Sequence, residues 1–454
     1  MSPVGEHRKI QRKKPEWTEI VTEIWVGQFL VVDLLFPGFK GFSGISAAKT
    51  WTFYALAGEL AVFGVCFFIY DLVKKKLRRP TPTQIAALAF LAFTLVSAAF
   101  SPYGAKAWYN EKAHEAALTL SLYVLVFLIV SRWGKPTKRL FWVLFGSLTA
   151  FCLLCLLQAL GENPLRLYPK TLTYYDGFGV KYKGAYAGTI GNVDIVSAFL
   201  ALVVPMLIIS TIKQRPARSW PAWILAAACL AILLWIRVLC GPVGMILGAA
   251  VCGLVFCPAG KRRWVLLAYG TLAVAGLLLL FFIRLPEELV YGDKYIDVLK
   301  PINELQRLLH GEVSDTFGSG RFYIWRQMLE RIPDRLWTGV GPDMVRYSGL
   351  SPFIRYDENG VEVARATLTD GHCYPLHVLY CQGLPALLSW LGVVGISLYH
   401  WVRYRGDRAV ATLGGGLICF LCAMLFCISS VIVMPFFWLT MGLLEARAQR
   451  LQAK

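Results

Sequence analysis

The residues best suited to chemistry lie late in the chain. His372 stands in Asp-Gly-His-Cys (370–373), and His377 follows five residues on. Ten cations fall between Lys294 and Arg365, and the seven after residue 320 are all arginine. A guanidinium grips phosphate through two parallel N–H bonds, which an ammonium cannot reproduce. An imidazole can take a proton from a hydroxyl near neutral pH. Together they point to an anion site with a base beside it. The plainer reading is a solvated, acid-paired loop, since Glu, Asp and Arg alternate through 304–362, with His372 in a structural role. His372 and His377 are poorly spaced for a shared metal on a helix.

These residues need elements to hold them. In 318–333, Phe322, Trp325, Met328, Leu329 and Ile332 recur at helical spacing, so a short amphipathic helix is expected. Ser319 is the expected N-cap, and Pro333 stops the helix soon after Ile332. Arg321 then falls in the first turn, where a cation opposes the helix dipole by roughly 0.3–1 kcal/mol. A bound anion would turn that conflict into a clamp, with helix N–H groups and guanidinium converging on it. The alternative is an ion pair between Arg321 and an acid such as Asp315. Gly339 and Gly341 in TGVGPDM (338–344) suggest a tight loop. Arg237 closes an apolar run, where it either faces a cavity or snorkels. Asn192 and Asp194 open another run, with capping as the plain reading. Glu59 lies within a third and has no assigned chemistry.

The rest of the chain is apolar. Of 454 residues 57% are hydrophobic and 16% charged, with mean hydropathy +0.55. A soluble protein carries about 25% charged residues, so a soluble enzyme is excluded and an all-α polytopic membrane protein is expected. Twelve spans are expected, near 20–37, 51–70, 85–100, 116–131, 140–160, 192–212, 222–239, 241–257, 264–284, 374–400, 409–429 and 431–445. Of the 46 Lys and Arg, 26 fall in 1–19, 71–84, 131–139, 213–221, 258–263, 401–408 and 446–454. The positive-inside rule places these segments in the cytoplasm, both termini included. The organisation is thus a cytoplasmic tail (1–19), nine spans (20–284), a large extracytoplasmic loop (285–373), three spans (374–445) and a second tail (446–454). Net charge is +18. It is read as loops lying against membrane lipids rather than nucleic-acid binding.

Most of the twelve cysteines lie in apolar runs. Cys152/Cys155 and Cys419/Cys422 have CxxC spacing but no histidine nearby, so they read as small buried residues. No paired carboxylates such as DxD stand out, so no metal and no cofactor is expected.

Three stretches carry a family resemblance. SGRFYIW (319–325) with TGVGPDM resembles the Arg-x-x-x-Trp…Gly-x-Gly element of the O-antigen ligase and polymerase superfamily of bacterial membrane proteins. HCYPLHVLYCQGLPALL (372–388) resembles its His-Asn-x-x-Leu…Gly-Leu element, with Cys373 in place of Asn. GNVDIVSAFLALVVP (191–205) resembles the Gly-Asn opening of a mid-chain span. The resemblance covers roughly 190–390. It implies a GT-C-like fold and metal-independent transfer of a glycan from a polyprenyl diphosphate to a lipid or glycan acceptor at the outer face of the inner membrane. By resemblance Arg321 holds the diphosphate and His372 acts at the acceptor hydroxyl. Arg237 is the nearest match to a further family arginine, although its surroundings read Arg-Val-Leu-Cys-Gly-Pro rather than Ser-Arg-Gly. Arg326, Trp325, Arg346 and Asn192 are further candidates for substrate contact. Three rivals remain: a repeat-unit polymerase, a flippase for lipid-linked glycans, and a non-catalytic assembly subunit. A flippase would place its cations along a cavity within the spans, whereas here they concentrate in the loop.

Overall fold

The computed structural model describes residues 16–110, 115–168, 173–174, 182–183, 187–212, 216–283, 290–291, 294–295, 300–315, 317–356 and 362–453. The basic stretch Arg8–Lys14 lies outside them. The described chain is overwhelmingly helical. In order run α1 (Trp17–Leu35), α2 (Ile45–Val73), α3 (Pro82–Ala99), α4 (Ala117–Trp133), α5 (Lys138–Ala159), α6 (Val193–Thr211), α7 (Pro216–Ile236), α8 (Cys240–Phe256) and α9 (Arg262–Phe282). The late segment holds α10 (Lys300–Leu309) and α11 (Phe317–Arg331). Then come α12 (Tyr374–Gln382), α13 (Leu384–Arg403), α14 (Arg408–Ala423) and α15 (Met434–Gln452). Among the described residues, the strands form three short antiparallel hairpins, the longest pairing Phe353–Tyr356 with Glu362–Ala366.

Each of the twelve apolar segments expected from the sequence falls on a helix. Among the described residues seven helical stretches are long and apolar enough to cross a membrane, and α4, α8 and α14 are shorter apolar helices. Two segments depart from expectation. The run 374–400 breaks at Gly383 (φ 84), where a Cβ would sit 2.5 Å from the Trp337 carbonyl oxygen. The run 409–429 stops being helical after Ala423, and 424–433 cross the bundle end as irregular chain.

Helix α6 is the central post, buried along nearly its whole length. It packs against α14 so closely that a Cβ on Gly416 would meet the Leu202 carbonyl at 2.4 Å. Gly248 of α8 sits equally close to Cys419. Small residues at crossings let helix backbones approach where lipid offers no hydrophobic drive between helices. Cys419 is a buried free thiol at that crossing, and Cys152, Cys155 and Cys229 are buried free thiols on α5 and α7. Glu59 is half-buried and accepts from Gln28 Nε2 at 3.2 Å.

Polar ties define the two bundle ends. At one end Arg450 pairs with Glu19 (2.9 Å), Arg139 with Glu23 (2.8 Å) and Arg447 with Asp407 (2.5 Å). Just inside it, Glu445 accepts from Thr83 (3.0 Å) and lies 2.8 Å from His400 Nδ1. The opposite end gathers the start of α4, the starts of α6 and α8, the segment after α14, and residues 317–356 and 362–373.

Candidate functional site

The sequence around Arg321 builds an unusual helix start. Gly318 (φ 60, ψ 32), Ser319 (φ 58, ψ 41) and Gly320 (φ 86, ψ 6) form three successive left-handed residues, and regular helix begins at Arg321. Ser319 is therefore not the expected N-cap, because a cap residue takes extended backbone. Glycine on both sides makes this turn accessible, since left-handed backbone is cheap only for glycine. The turn brings the Gly318 carbonyl back onto Arg321, whose Nη1 donates to it at 2.5 Å. Nε and Nη2 both donate to the Phe426 carbonyl, at 3.1 and 2.9 Å. Among the described residues Arg321 makes no ion pair. Asp315 is taken instead by Arg326, at 2.6 Å.

His372 is set with equal care. Its φ is 48, a left-handed value that non-glycine residues adopt only when held there. Asp370 Oδ1 accepts the His372 backbone N–H at 2.6 Å. Trp325 Nε1 donates to the Gly371 carbonyl at 2.8 Å. The backbone before His372 is thus pinned from two sides, and one of the pins is the tryptophan four residues after Arg321. Burial lowers the His372 imidazole below its usual 6.5, with Asp370 opposing that shift and Arg321 adding to it. The shift favours the neutral ring, the state a general base requires. Burial also raises the Cys373 thiol.

Residues 424–429, expected as helix, are the hub of the site. The Met424 carbonyl accepts from Tyr374 N at 2.9 Å, which seats α12. The Phe426 carbonyl holds Arg321. Cys427 Sγ lies 3.5 Å from the Asp194 carbonyl. Ser429 donates to Asp370 Oδ2 through N (3.4 Å) and Oγ (3.2 Å). One irregular strip therefore fixes both the guanidinium and the histidine loop.

Behind this strip lies a carboxylate group that sequence reading missed. Asp343 Oδ2 accepts Glu115 N at 2.9 Å, across 228 residues of chain. Tyr123 donates to Glu115 Oε1 at 2.6 Å. His377 bridges the group, with Nδ1 3.3 Å from Asp370 Oδ2 and Nε2 3.9 Å from Asp343 Oδ1. Burial pushes Glu115 up to about 7, with hydrogen bonds from Ser429 and Tyr123 pulling back. Burial also raises Asp343 well above its usual range, and the Glu115 charge adds to it. Among the described residues no His, Cys, Asp and Glu group is arranged to hold a metal ion.

The remaining candidates separate cleanly. Gly339 (φ 65) and Gly341 (φ 116) lay their loop on the end of α12, where Val340 N and Gly341 N donate to the Tyr380 and Cys381 carbonyls (3.1 and 2.8 Å). A Cβ on Gly339 would meet the Cys381 backbone at 2.3 Å. Asn192 caps α6, its Oδ1 accepting Asp194 N at 2.8 Å. Arg346 is exposed on the 3-10 turn Val345–Tyr347. Arg237 (φ 53) is exposed on the α7–α8 connector, and Cys240 three residues on reaches the Asp194 carbonyl at 3.8 Å. It therefore stands at the same bundle end as Arg321.

No protein-family model matches the sequence, and no curated protein does either.

Proposed function

We propose that the chain is a metal-independent glycosyltransferase of the O-antigen ligase type, a GT-C-like bundle of twelve spans in the bacterial inner membrane. It moves a polyprenyl-diphosphate-linked glycan onto a lipid or glycan acceptor hydroxyl at the extracytoplasmic face, in cell-surface polysaccharide synthesis. One observation carries this reading. Among the described residues Arg321 is held by backbone carbonyls, with no carboxylate partner, in the same polar knot that fixes the His372 backbone.

The chemistry follows from that pairing. His372 takes the acceptor hydroxyl proton as the oxygen attacks the anomeric carbon. The anomeric C–O bond to the diphosphate breaks, and the bonding pair leaves with it. The leaving group gains negative charge, which a preorganised guanidinium stabilises more than it stabilises the donor. Arg321 keeps N–H groups beyond the three that bind carbonyls, because guanidinium carries five. Trp325 and Asp370 act through the His372 backbone and are positioning residues.

Product size tests the proposal. Protein in lipid is given a polyprenyl-diphosphate oligosaccharide with and without acceptor, and the glycan is run on a gel. A single transferred block that requires acceptor is the expected result. A ladder without acceptor would make the chain a polymerase of the same chemistry. An intact donor with acceptors of both classes would overturn the transfer reading and favour transport or assembly.

A further inference from the structure

The end of the bundle opposite Arg321 holds a cavity of about 300 Å³, at the lower limit of ligand-sized pockets. Arg78, Arg79 and Arg132 line it, together with Thr81, Gln449 and Gln452. Its walls are the turn after α2, the start of α3, the end of α4 and the end of α15. Of the three guanidinium groups, Arg132 meets Asp71, whose Oδ2 is 3.5 Å from its Nε, and Glu445 behind Gln449 is already held by His400 and Thr83. Arg132 Nη1 donates to the Arg78 carbonyl at 3.0 Å, and Nη2 is shielded from solvent with no acceptor among the described residues. The first turn of α3, capped by Thr81, directs its positive dipole end at the same space. The amides are committed elsewhere. Gln449 Nε2 reaches the Ser131 carbonyl (3.3 Å) and Glu445 (3.2 Å), and Gln452 reaches His400 (3.3 Å). They form a polar back wall and leave Arg78, Arg79 and the Nη2 of Arg132 as the recognition groups.

We infer that this cavity is an anion site for a phosphate group, occupied by the headgroup of an acidic phospholipid in the leaflet at that end of the bundle. The chemistry fits in three ways. Clustered arginines match a tetrahedral phosphodiester better than a carboxylate, because several forks can share its oxygens. The orphaned Nη2 recovers an acceptor. The cavity lies at helix ends, where a lipid headgroup sits and its acyl chains can run down the apolar flanks. The ion-paired arginines of the same end, such as Arg447 and Arg450, are already neutralised and do not line the space.

Native mass spectrometry of the full chain in detergent tests this, with phosphatidylglycerol and phosphatidylcholine added separately and inorganic phosphate as competitor. Phosphatidylglycerol should be retained in preference, and Arg79→Gln and Arg132→Gln should each weaken it about fivefold. Arg132→Lys, which keeps the charge and the fold but loses the fork, should fall between. Arg403→Gln, at the same end but outside the cavity, should leave binding unchanged. Displacement of the lipid by inorganic phosphate would assign the site to free phosphate, and retention would assign it to the lipid. Equal retention of both lipids with no phosphate binding, or an equal loss from Arg403→Gln, would overturn the site.

Discussion

Two sets of arginines, one at each end of the bundle, are used in opposite ways. At one end Arg139, Arg447 and Arg450 each meet a carboxylate within 2.9 Å, and the charges cancel. At the other, Arg321 shares the 424–429 strip with Asp370 yet gives its N–H groups to the Gly318 and Phe426 carbonyls. The acids meanwhile bind backbone N–H groups, hydroxyls and His377. A paired arginine is finished with its charge and serves the fold. An arginine held by neutral carbonyls keeps its charge available while its geometry is fixed. Preorganisation without neutralisation is what an anion-stabilising site requires.

The largest expected effect breaks the comparison at its active end. Arg321→Ala should cut the transfer rate about 10²–10³-fold. Arg321→Lys should recover little of it, while Arg447→Gln should leave the rate alone and cost about 1 kcal/mol or less in a thermal melt. If Arg447→Gln slowed transfer as much as Arg321→Ala, the two ends would not differ in role.

Asp370 sharpens the comparison next. Asp370→Ala frees the His372 backbone and should cost about 10²-fold, since small misplacements of a reacting group are that expensive. Asp370→Asn keeps an acceptor for His372 N and should retain more activity. The pH profile separates charge from geometry. A base works unprotonated, and the folded pKa of His372 lies below 6.5, so the rate should be level at pH 7 and above and fall on acidification. Asp370 raises that pKa, so Asp370→Asn should move the acid limb to lower pH.

The smallest effect concerns stability. Glu115 titrates at about 7 in the folded chain, above its ordinary 4.5. The folded state therefore binds the proton more tightly. Stability should be fullest below 4.5 and decline as pH rises to about 7, by up to about 3 kcal/mol. Glu115→Gln should flatten that slope and raise the melting temperature at pH 8. An unchanged slope would place the acid elsewhere.

What could be read from the sequence was what is local. The apolar runs gave the helices, and the spacing of Phe322, Trp325 and Met328 gave α11. Arg321 and His372 stood out by type and surroundings. The missed features are non-local or conformational. Glu115 and Asp343 meet across 228 residues, and no spacing rule reaches that far. The strip 424–429 is apolar enough to read as helix, and its carbonyls matter only because Arg321 and Tyr374 arrive there. Ser319 has the right residue type for a cap, but the glycines beside it permit a left-handed turn that puts it to another use. Asp315 was a fair partner for Arg321 by distance along the chain, and the same turn swings it to Arg326 instead.

The central claim is that Arg321 and His372 together transfer a glycan from a diphosphate carrier. A single-turnover assay on wild type, Arg321→Ala and His372→Ala, at equal protein and matched thermal stability, tests it most directly. The account predicts transfer by wild type and a loss of about 10²-fold or more in each variant. Wild-type rates in both variants would contradict it.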